Sequence, residues 1–146
     1  DQEIVIGVIY QRKYRTSSNT KDAFIDAMSS IKKISGFNFQ CVPIDISSPV
    51  DLAHAVSKNG IDILYITPMR AVRIETITSV SRDQQIRTLT GVPDYIELGL
   101  AVGIGLKGEK PRIMINLAAA KAEGADFRSQ LLKLAKVLHG ENGVKP

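Results

Sequence analysis

The most constraining feature of this sequence is an almost unbroken run of β-branched residues near its beginning. Residues 3–10 read EIVIGVIY. A strand with one face in water would alternate apolar and polar residues, whereas a continuous apolar run is typical of a strand that is buried on both faces. Strands of that kind occur in parallel sheets that helices cover on both sides. The run therefore predicts an α/β fold.

Further strand and helix patterns alternate along the chain. The other predicted strands lie at 38–44, 61–67 and 87–90, and the predicted helices lie at 21–34, 48–59 and 69–80. We expect Asn19 to cap the first helix and Ser48 to cap the second, because short polar side chains satisfy the free N–H groups of a first turn. Alternation of this kind favours a mostly parallel sheet with helices on both faces.

The end of the chain departs from this alternation. Residues 100–106 and 112–117 predict two strands, which the short charged segment between them joins as an antiparallel hairpin. Ala101, Gly103 and Gly105 share one face of the first strand, so a helix or another backbone can approach it closely. Asn116 is expected to cap a short helix, and apolar positions from Asp126 to Leu138 predict a terminal helix with a frayed tail after it. The predicted fold is a three-layer αβα arrangement of Rossmann or flavodoxin type, with a C-terminal antiparallel hairpin and a terminal helix.

Composition is consistent with one globular domain over residues 1–146. The chain is 44% hydrophobic and 23% charged, which is ordinary for a folded domain of this length. The net charge of +4 comes from Lys and Arg residues that are spread along the chain, so we do not expect nucleic-acid binding. The longest uncharged apolar stretch, 98–106, is much shorter than the roughly 18 residues that a membrane span needs. We therefore expect no direct membrane insertion.

No catalytic or metal-binding pattern stands out. His54 and His139 lie far apart in the sequence and lack the spacing of a metal site. Residues 11–19 contain no glycine-rich phosphate loop, and a Gly-x-Ser-x-Gly elbow is missing from the sequence. Cys41 lies in an apolar strand, where burial as a small hydrophobic residue is expected. We expect no enzyme, cofactor or metal; an enzyme that uses the strand ends is a weaker alternative, because the sequence indicates no pair of convergent titratable groups.

The loop after the first strand is a candidate binding site. It carries cations and hydroxyls just before a helix N-terminus, where free N–H groups and the helix dipole favour anions. Ligands of open parallel sheets bind beyond the carboxyl ends of the strands, and the third strand ends at the equivalent place. The candidate anion site consists of Arg12, Arg15, Thr16, Ser17, Ser18 and Thr67. The alternative interpretation is a solvated basic loop whose hydroxyls cap the helix.

The second half of the chain resembles the YfiR-like periplasmic family. The resemblance rests on GLAVGI at 99–104, RIMINLAAAKA at 112–122 and SQLLKLA at 129–135, which look like the glycine-rich strand, the hairpin and the last helix of that family. It implies a non-catalytic regulator that is exported to the periplasm with removal of a signal peptide and is often a homodimer. The partner implied is a membrane-bound sensor, typically a diguanylate cyclase, whose repression sets the level of cyclic-di-GMP.

We therefore expect a periplasmic regulatory protein that acts by protein binding. The candidate partner surface is the tip of the terminal hairpin, with Lys107, Glu109, Lys110 and Arg112. Residues 4–67 look closer to half of a solute-binding-protein lobe. A periplasmic module that binds a small ligand or anion is thus the alternative function.

Overall fold

The β-branched run lies between two parallel strands in a computed structural model of the protein. The structure describes residues 2–31, 36–48, 50–125, 136–139 and 143–145. The chain divides into two compact units, Asp1–Ala71 and Val72–Pro146. In the first unit, β1 (Gln2–Tyr10) pairs in parallel with β2 (Phe37–Asp45) on one side and with β3 (Ile63–Ile66) on the other.

Both faces of β1 are covered. Val8 and Ile9 are fully buried, and neighbouring residues of a strand point to opposite faces. The connections from β1 to β2 and from β2 to β3 run in opposite directions across the sheet. Since such crossovers are right-handed, the two helices that they contain belong on opposite faces. The prediction of a buried parallel strand is confirmed.

The two helices of the first unit are α1 (Arg15–Ser29) and α2 (Leu52–Asn59). α1 begins six residues before the predicted start, so the prediction that Asn19 is its cap was wrong; the N-cap residue is Tyr14. Apolar periodicity begins only at Phe24 because the first turns of α1 are polar. The prediction that Ser48 caps α2 was also wrong, because the Asp51 side chain accepts a hydrogen bond from the backbone N–H of His54 and holds the first turn instead.

The second unit contains three helices and five strands among its described residues. The helices are α3 (Ile74–Asp83), α4 (Asp94–Glu97) and α5 (Leu117–Ala122). The strands are β4 (Arg87–Thr90), β5 (Val102–Lys107), β6 (Lys110–Asn116), β7 (Lys136–His139) and β8 (Gly143–Lys145). The pairs β4–β5 and β6–β7 are parallel, whereas β5–β6 and β7–β8 are antiparallel. The predicted hairpin is therefore confirmed, and so is the mostly parallel α/β class; α3 begins five residues later than predicted.

The glycine face of β5 packs against α4. A Cβ atom at Gly103 would lie 2.7 Å from Cγ1 of Ile96, a fully buried residue of α4. Glycine at this position is what allows the helix to approach the strand. The face is thus a packing surface, as the sequence predicts.

The last part of the chain differs from the prediction. Most of the predicted terminal helix, 126–135, lies outside the described residues. The prediction that Leu138 continues this helix was wrong, because 136–139 is the strand β7 and pairs with β6. The predicted frayed tail was wrong as well, since Gly143–Lys145 pairs with β7. One domain over 1–146 stays a prediction.

Candidate functional site

Three loops meet at the carboxyl ends of the strands in the first unit. They follow β1, β2 and β3, and their described residues are 11–14, 46–48, 50–51 and 67–71. From β1 the chain passes to β2 on one side and then to β3 on the other side of β1, so the order of the strands reverses between β1 and β3. Open α/β sheets bind their ligands outside the strand ends at such a point. The chemistry of these loops therefore decides what this edge of the sheet can do.

A chain of buried hydroxyls ties α1 to the ends of β1 and β3. The Gln11 backbone N–H donates to Ser17 Oγ at 2.9 Å, Ser17 Oγ lies 2.7 Å from Thr67 Oγ1, and Thr67 Oγ1 donates to the Ile9 carbonyl at 2.8 Å. Thr67 has one hydroxyl proton and gives it to Ile9, so Ser17 must be the donor between the two hydroxyls. Both residues are fully buried. Both hydroxyl protons are donated to other groups of the protein and are not available to a ligand.

The Gln11 side chain clamps the loop after β3. Its Oε1 accepts from the Arg70 backbone N–H at 2.7 Å, and its Nε2 donates to the Arg70 carbonyl at 2.8 Å. The Arg70 guanidinium lies 4.2 Å from the centroid of the Tyr14 ring, which is a cation–π contact. The Thr16 hydroxyl and the Arg70 side chain lower the pKa of the Tyr14 phenol. The loops after β1 and β3 thus hold each other in place.

Hydrogen bonds also connect the loop after β1 with the end of β2. Asp45 Oδ1 accepts from the backbone N–H groups of Ser47 at 2.9 Å and Arg12 at 3.1 Å, and Ser47 Oγ accepts from the Lys13 N–H at 3.1 Å. Burial alone would raise the pKa of Asp45, but the hydrogen bonds from Arg12 and Ser47 outweigh it and lower that pKa. The Arg12 side chain is exposed and lies 3.7 Å from Asp45 Oδ2. Asp45 therefore organises this side of the site as an acceptor.

A cleft lies between these three loops. Its volume is about 170 Å³, and its walls are Gln11, Lys13, Tyr14, Ser47 and Arg70. We call it the strand-end cleft. Among the described residues that line it, two are cations and none is a carboxylate, so its electrostatics favour an anion.

The six residues of the predicted anion site have different surroundings. Ser17 and Thr67 are brought together in the buried hydroxyl chain, Arg12 lies beside Asp45, Arg15 and Thr16 are exposed, and Ser18 is half-buried. None of the six lines the strand-end cleft. The five residues that do line it were not among the predicted site residues, although the strand-end rule points equally to the loops after β2 and β3. An anion site made of the original six residues stays a prediction.

The second predicted surface, the hairpin tip, is exposed. Gly108, Glu109 and Lys110 are exposed and Arg112 is half-buried, while Lys107 pairs with Lys110 in the strand register. Gly108 has a φ of +66°, which closes the two-residue turn. Ile104 on β5 is 49% exposed. An apolar side chain thus accompanies the charged tip, whose role in partner binding stays a prediction.

A larger cavity of about 630 Å³ lies in the second unit, among α3, α4 and α5. Its charged side chains are of both signs, namely Glu75, Glu97 and Arg82, and Arg82 donates to the Gly99 carbonyl at 3.2 Å. Glu75 is paired with Arg73 at 3.0 Å. This mixture selects no particular class of ligand.

The described ranges contain neither a metal-binding cluster nor a membrane-spanning helix. Within them, no group of three or more His, Cys, Asp or Glu side chains is placed to hold a metal ion. No helix in the described part of the chain has the length and apolar character needed to cross a membrane.

Cys41 is half-buried rather than buried, and burial raises the pKa of its thiol.

Three solved structures share this fold. The first is the ABC domain in complex with L-Trp from Streptococcus pneumonia, with 13% identity, a TM-score of 0.67 and coverage of 92% of this chain and 56% of that chain. The second is the ligand-free, open structure of a substrate binding protein with adhesive properties from Clostridium difficile, with 17% identity, a TM-score of 0.69 and coverage of 94% of this chain and 55% of that chain. The third is a conserved domain protein from Vibrio cholerae, with 15% identity, a TM-score of 0.58 and coverage of 91% of this chain and 54% of that chain. This chain therefore spans about half the length of each structure. At these identities the likeness shows the fold alone.

Family membership rests on a match that extends well beyond the resemblance in the second half. Among curated proteins, none matches this chain significantly. The family model DUF4154, described as YfiR/HmsC-like, matches residues 14–136, which is most of the chain and includes parts of both units. The chain belongs to the YfiR/HmsC-like family.

Proposed function

We propose that this protein is an exported periplasmic regulator that binds and represses the periplasmic part of a membrane-bound sensor, a diguanylate cyclase, without catalysing a reaction. The observation that carries the proposal is the family match over residues 14–136. Membership of the YfiR/HmsC-like family suggests a periplasmic regulatory protein, and regulation of this kind needs a binding surface rather than a reactive centre.

The hairpin tip is the surface that we assign to the partner. Lys110 and Glu109 are exposed, and Ile104 exposes 49% of its surface on the same hairpin. Protein interfaces commonly combine an apolar contact with a charged rim. The turn at Gly108 is closed by direct pairing of Lys107 with Lys110. A surface that is ordered before binding loses less entropy when the partner docks.

The test is a deletion strain that is complemented with variants. We expect deletion to raise cyclic-di-GMP severalfold and the unchanged gene to restore it. Lys110→Glu should fail to restore it and should weaken binding to the purified periplasmic domain of the sensor at least tenfold. Lys58→Glu reverses an exposed charge on α2 and serves as the matched control, which should behave like the unchanged protein. Unchanged cyclic-di-GMP after deletion, together with no binding to the sensor domain, would contradict the proposal.

A second candidate function is a ligand-binding module. The observation that favours it is the strand-end cleft, whose described lining includes Lys13 and Arg70 and no carboxylate. Its position at the reversal of strand order is where α/β sheets bind ligands. Ligand-dependent thermal stabilisation that depends on the cleft side chains is the measurement that tests it.

A further inference from the structure

We propose that the strand-end cleft binds a small oxyanion, a phosphate or carboxylate group, between the Lys13 ammonium and the Arg70 guanidinium. The proposal rests on the second candidate function, ligand binding, and adds the chemical class of the ligand and the side chains that hold it. Four features of the first unit support it: the positive charge of the cleft, the fixed positions of the groups that carry it, the N-terminus of α1, and the volume of the cleft.

The described carboxylates do not balance the positive charge of the cleft. Within the part of the chain that the structure describes, the ion pairs are Arg12–Asp45, Lys21–Asp22 and Arg73–Glu75, so neither Lys13 nor Arg70 is paired with a carboxylate. Asp45 already accepts the N–H groups of Arg12 and Ser47. An anionic ligand would supply the missing negative charge, because charge-assisted hydrogen bonds are stronger than neutral ones.

The Arg70 guanidinium and the Lys13 backbone are held before any ligand arrives. The backbone of Arg70 is fixed at both its N–H and its carbonyl by Gln11, and its guanidinium stacks on Tyr14. The backbone N–H of Lys13 is fixed by Ser47. Preorganised groups lose little freedom on binding. A planar guanidinium also matches the two oxygens of a carboxylate or phosphate, which a lysine cannot do.

The N-terminus of α1 adds to this field. The N-cap residue Tyr14 makes no side-chain capping hydrogen bond, and the first turn of α1 contains no acidic residue. The partial positive charge of the helix start is therefore not neutralised locally. Because Tyr14 also lines the cleft, this end of the helix lies at the cleft wall.

The size of the cleft indicates how much of a ligand it can hold. A water molecule occupies about 30 Å³ in the liquid, so the cleft of about 170 Å³ has room for roughly five or six non-hydrogen atoms. Inorganic phosphate, sulfate and small carboxylates are of this size. A nucleotide could place only one phosphate group in the cleft.

The experiment is thermal unfolding and calorimetry of the full chain with potassium phosphate, sulfate or acetate, each compared with potassium chloride at equal ionic strength. We expect an oxyanion-specific rise in Tm and saturable binding. Preference for phosphate would identify a phosphate group, and preference for acetate would identify a carboxylate. No difference from chloride with any of the three would overturn the proposal.

Variants separate the strand-end cleft from the surrounding basic loop. Arg70→Ala should weaken phosphate or acetate binding at least tenfold, Lys13→Ala should weaken it severalfold, and Arg70→Lys should retain part of it. Arg12→Ala and Arg15→Ala are the matched controls and should bind normally, because their side chains do not line the cleft. Arg70→Ala should still fold, since Gln11 contacts only the Arg70 backbone; its urea midpoint in chloride checks this.

Three further outcomes distinguish this proposal from the function on which it rests. Equal losses for Arg12→Ala and Arg70→Ala would place the anion on the outer loop and overturn the assignment. If neutral sugars stabilise the protein while oxyanions do not, and Tyr14→Ala abolishes that effect, ligand binding stands and the oxyanion proposal fails. If none of these compounds stabilises the protein, both fail.

Discussion

Glu123 is a buried carboxyl group in the second unit that has no cation within hydrogen-bonding reach among the described residues. It is fully buried, and its two oxygens accept hydrogen bonds from the Thr88 N–H at 2.8 Å and the Thr88 hydroxyl at 2.5 Å. Burial raises the pKa of Glu123 to about 7, although the hydrogen bonds from Thr88 and the charges of Arg82 and Arg87 oppose this rise. The protonated form is therefore favoured by folding.

This pKa predicts how stability depends on pH. Between pH 4.5, the ordinary pKa of a glutamate, and about 7, the folded protein holds a proton that the unfolded chain has lost. The free energy of unfolding therefore falls as the pH rises through this window, by roughly 3 kcal/mol in total. Glu123→Gln should abolish that fall and be more stable than the unchanged protein at pH 8. Urea unfolding at pH 5, 6, 7 and 8 measures it.

The control for this prediction is Glu97→Gln, which changes an exposed carboxyl of the same unit. It should leave the pH profile unchanged. A Glu123→Gln protein that loses stability between pH 5 and pH 7 as steeply as the unchanged one would show that other groups cause the effect.

At the residue scale, the sequence predicted the kinds of side chain at the strand ends but not their directions. Ser17 and Thr67 were both selected, and the structure does bring their hydroxyls together. Whether a hydroxyl points to a ligand or to a neighbouring strand depends on the register of β1 against β3, which no local pattern contains. Arg70 was missed for the same reason, because the position of its backbone depends on the hydrogen bond to Gln11, which follows the neighbouring strand β1.

At the element scale, the predicted strands from β1 to β6 were found, whereas both predicted helix caps, Asn19 and Ser48, were wrong. β4 was predicted at its exact bounds, and the β5–β6 hairpin was predicted because its two strands are adjacent in sequence. α4 has only four residues, which is too short to show a helical period. β7 was missed because its pairing with β6 joins segments that are distant in sequence.

The contact between β5 and α4 can be tested by one added methyl group. In Gly103→Ala the new Cβ would lie 2.7 Å from Cγ1 and 2.8 Å from Cδ1 of Ile96, which is fully buried and cannot turn away freely. Overpacking of this kind costs about 1–3 kcal/mol. We expect Gly103→Ala to lower the free energy of unfolding by that amount in urea denaturation.

A neighbouring glycine provides the control for this overpacking. At Gly105 the nearest atom to an added Cβ is Pro93 Cγ at 3.4 Å, an ordinary contact, so Gly105→Ala should change stability by less than about 0.5 kcal/mol. Removing Cδ1 with Ile96→Val should recover part of the loss in Gly103→Ala, because contacting residues are not additive. Equal effects at both glycines would contradict the proposed helix–strand contact.

At the scale of the whole molecule, the two proposed binding surfaces belong to different units. The strand-end cleft lies in Asp1–Ala71, and the hairpin tip lies in Val72–Pro146. The hydrogen bonds that organise the cleft all join residues of the first unit. The hairpin is organised by pairing within the second unit. Substitutions that share no partners usually act independently.

This separation leads to a prediction about the two activities. Lys110→Glu should leave the phosphate-dependent or acetate-dependent rise in Tm unchanged, within error, while it weakens binding to the sensor domain. Arg70→Ala should do the opposite. Calorimetry of both variants with the anion and with the sensor domain measures all four effects. If either variant loses both activities while its urea midpoint is normal, the two surfaces are coupled. Thermodynamic linkage then requires the anion and the sensor domain to change each other's affinity by the same factor.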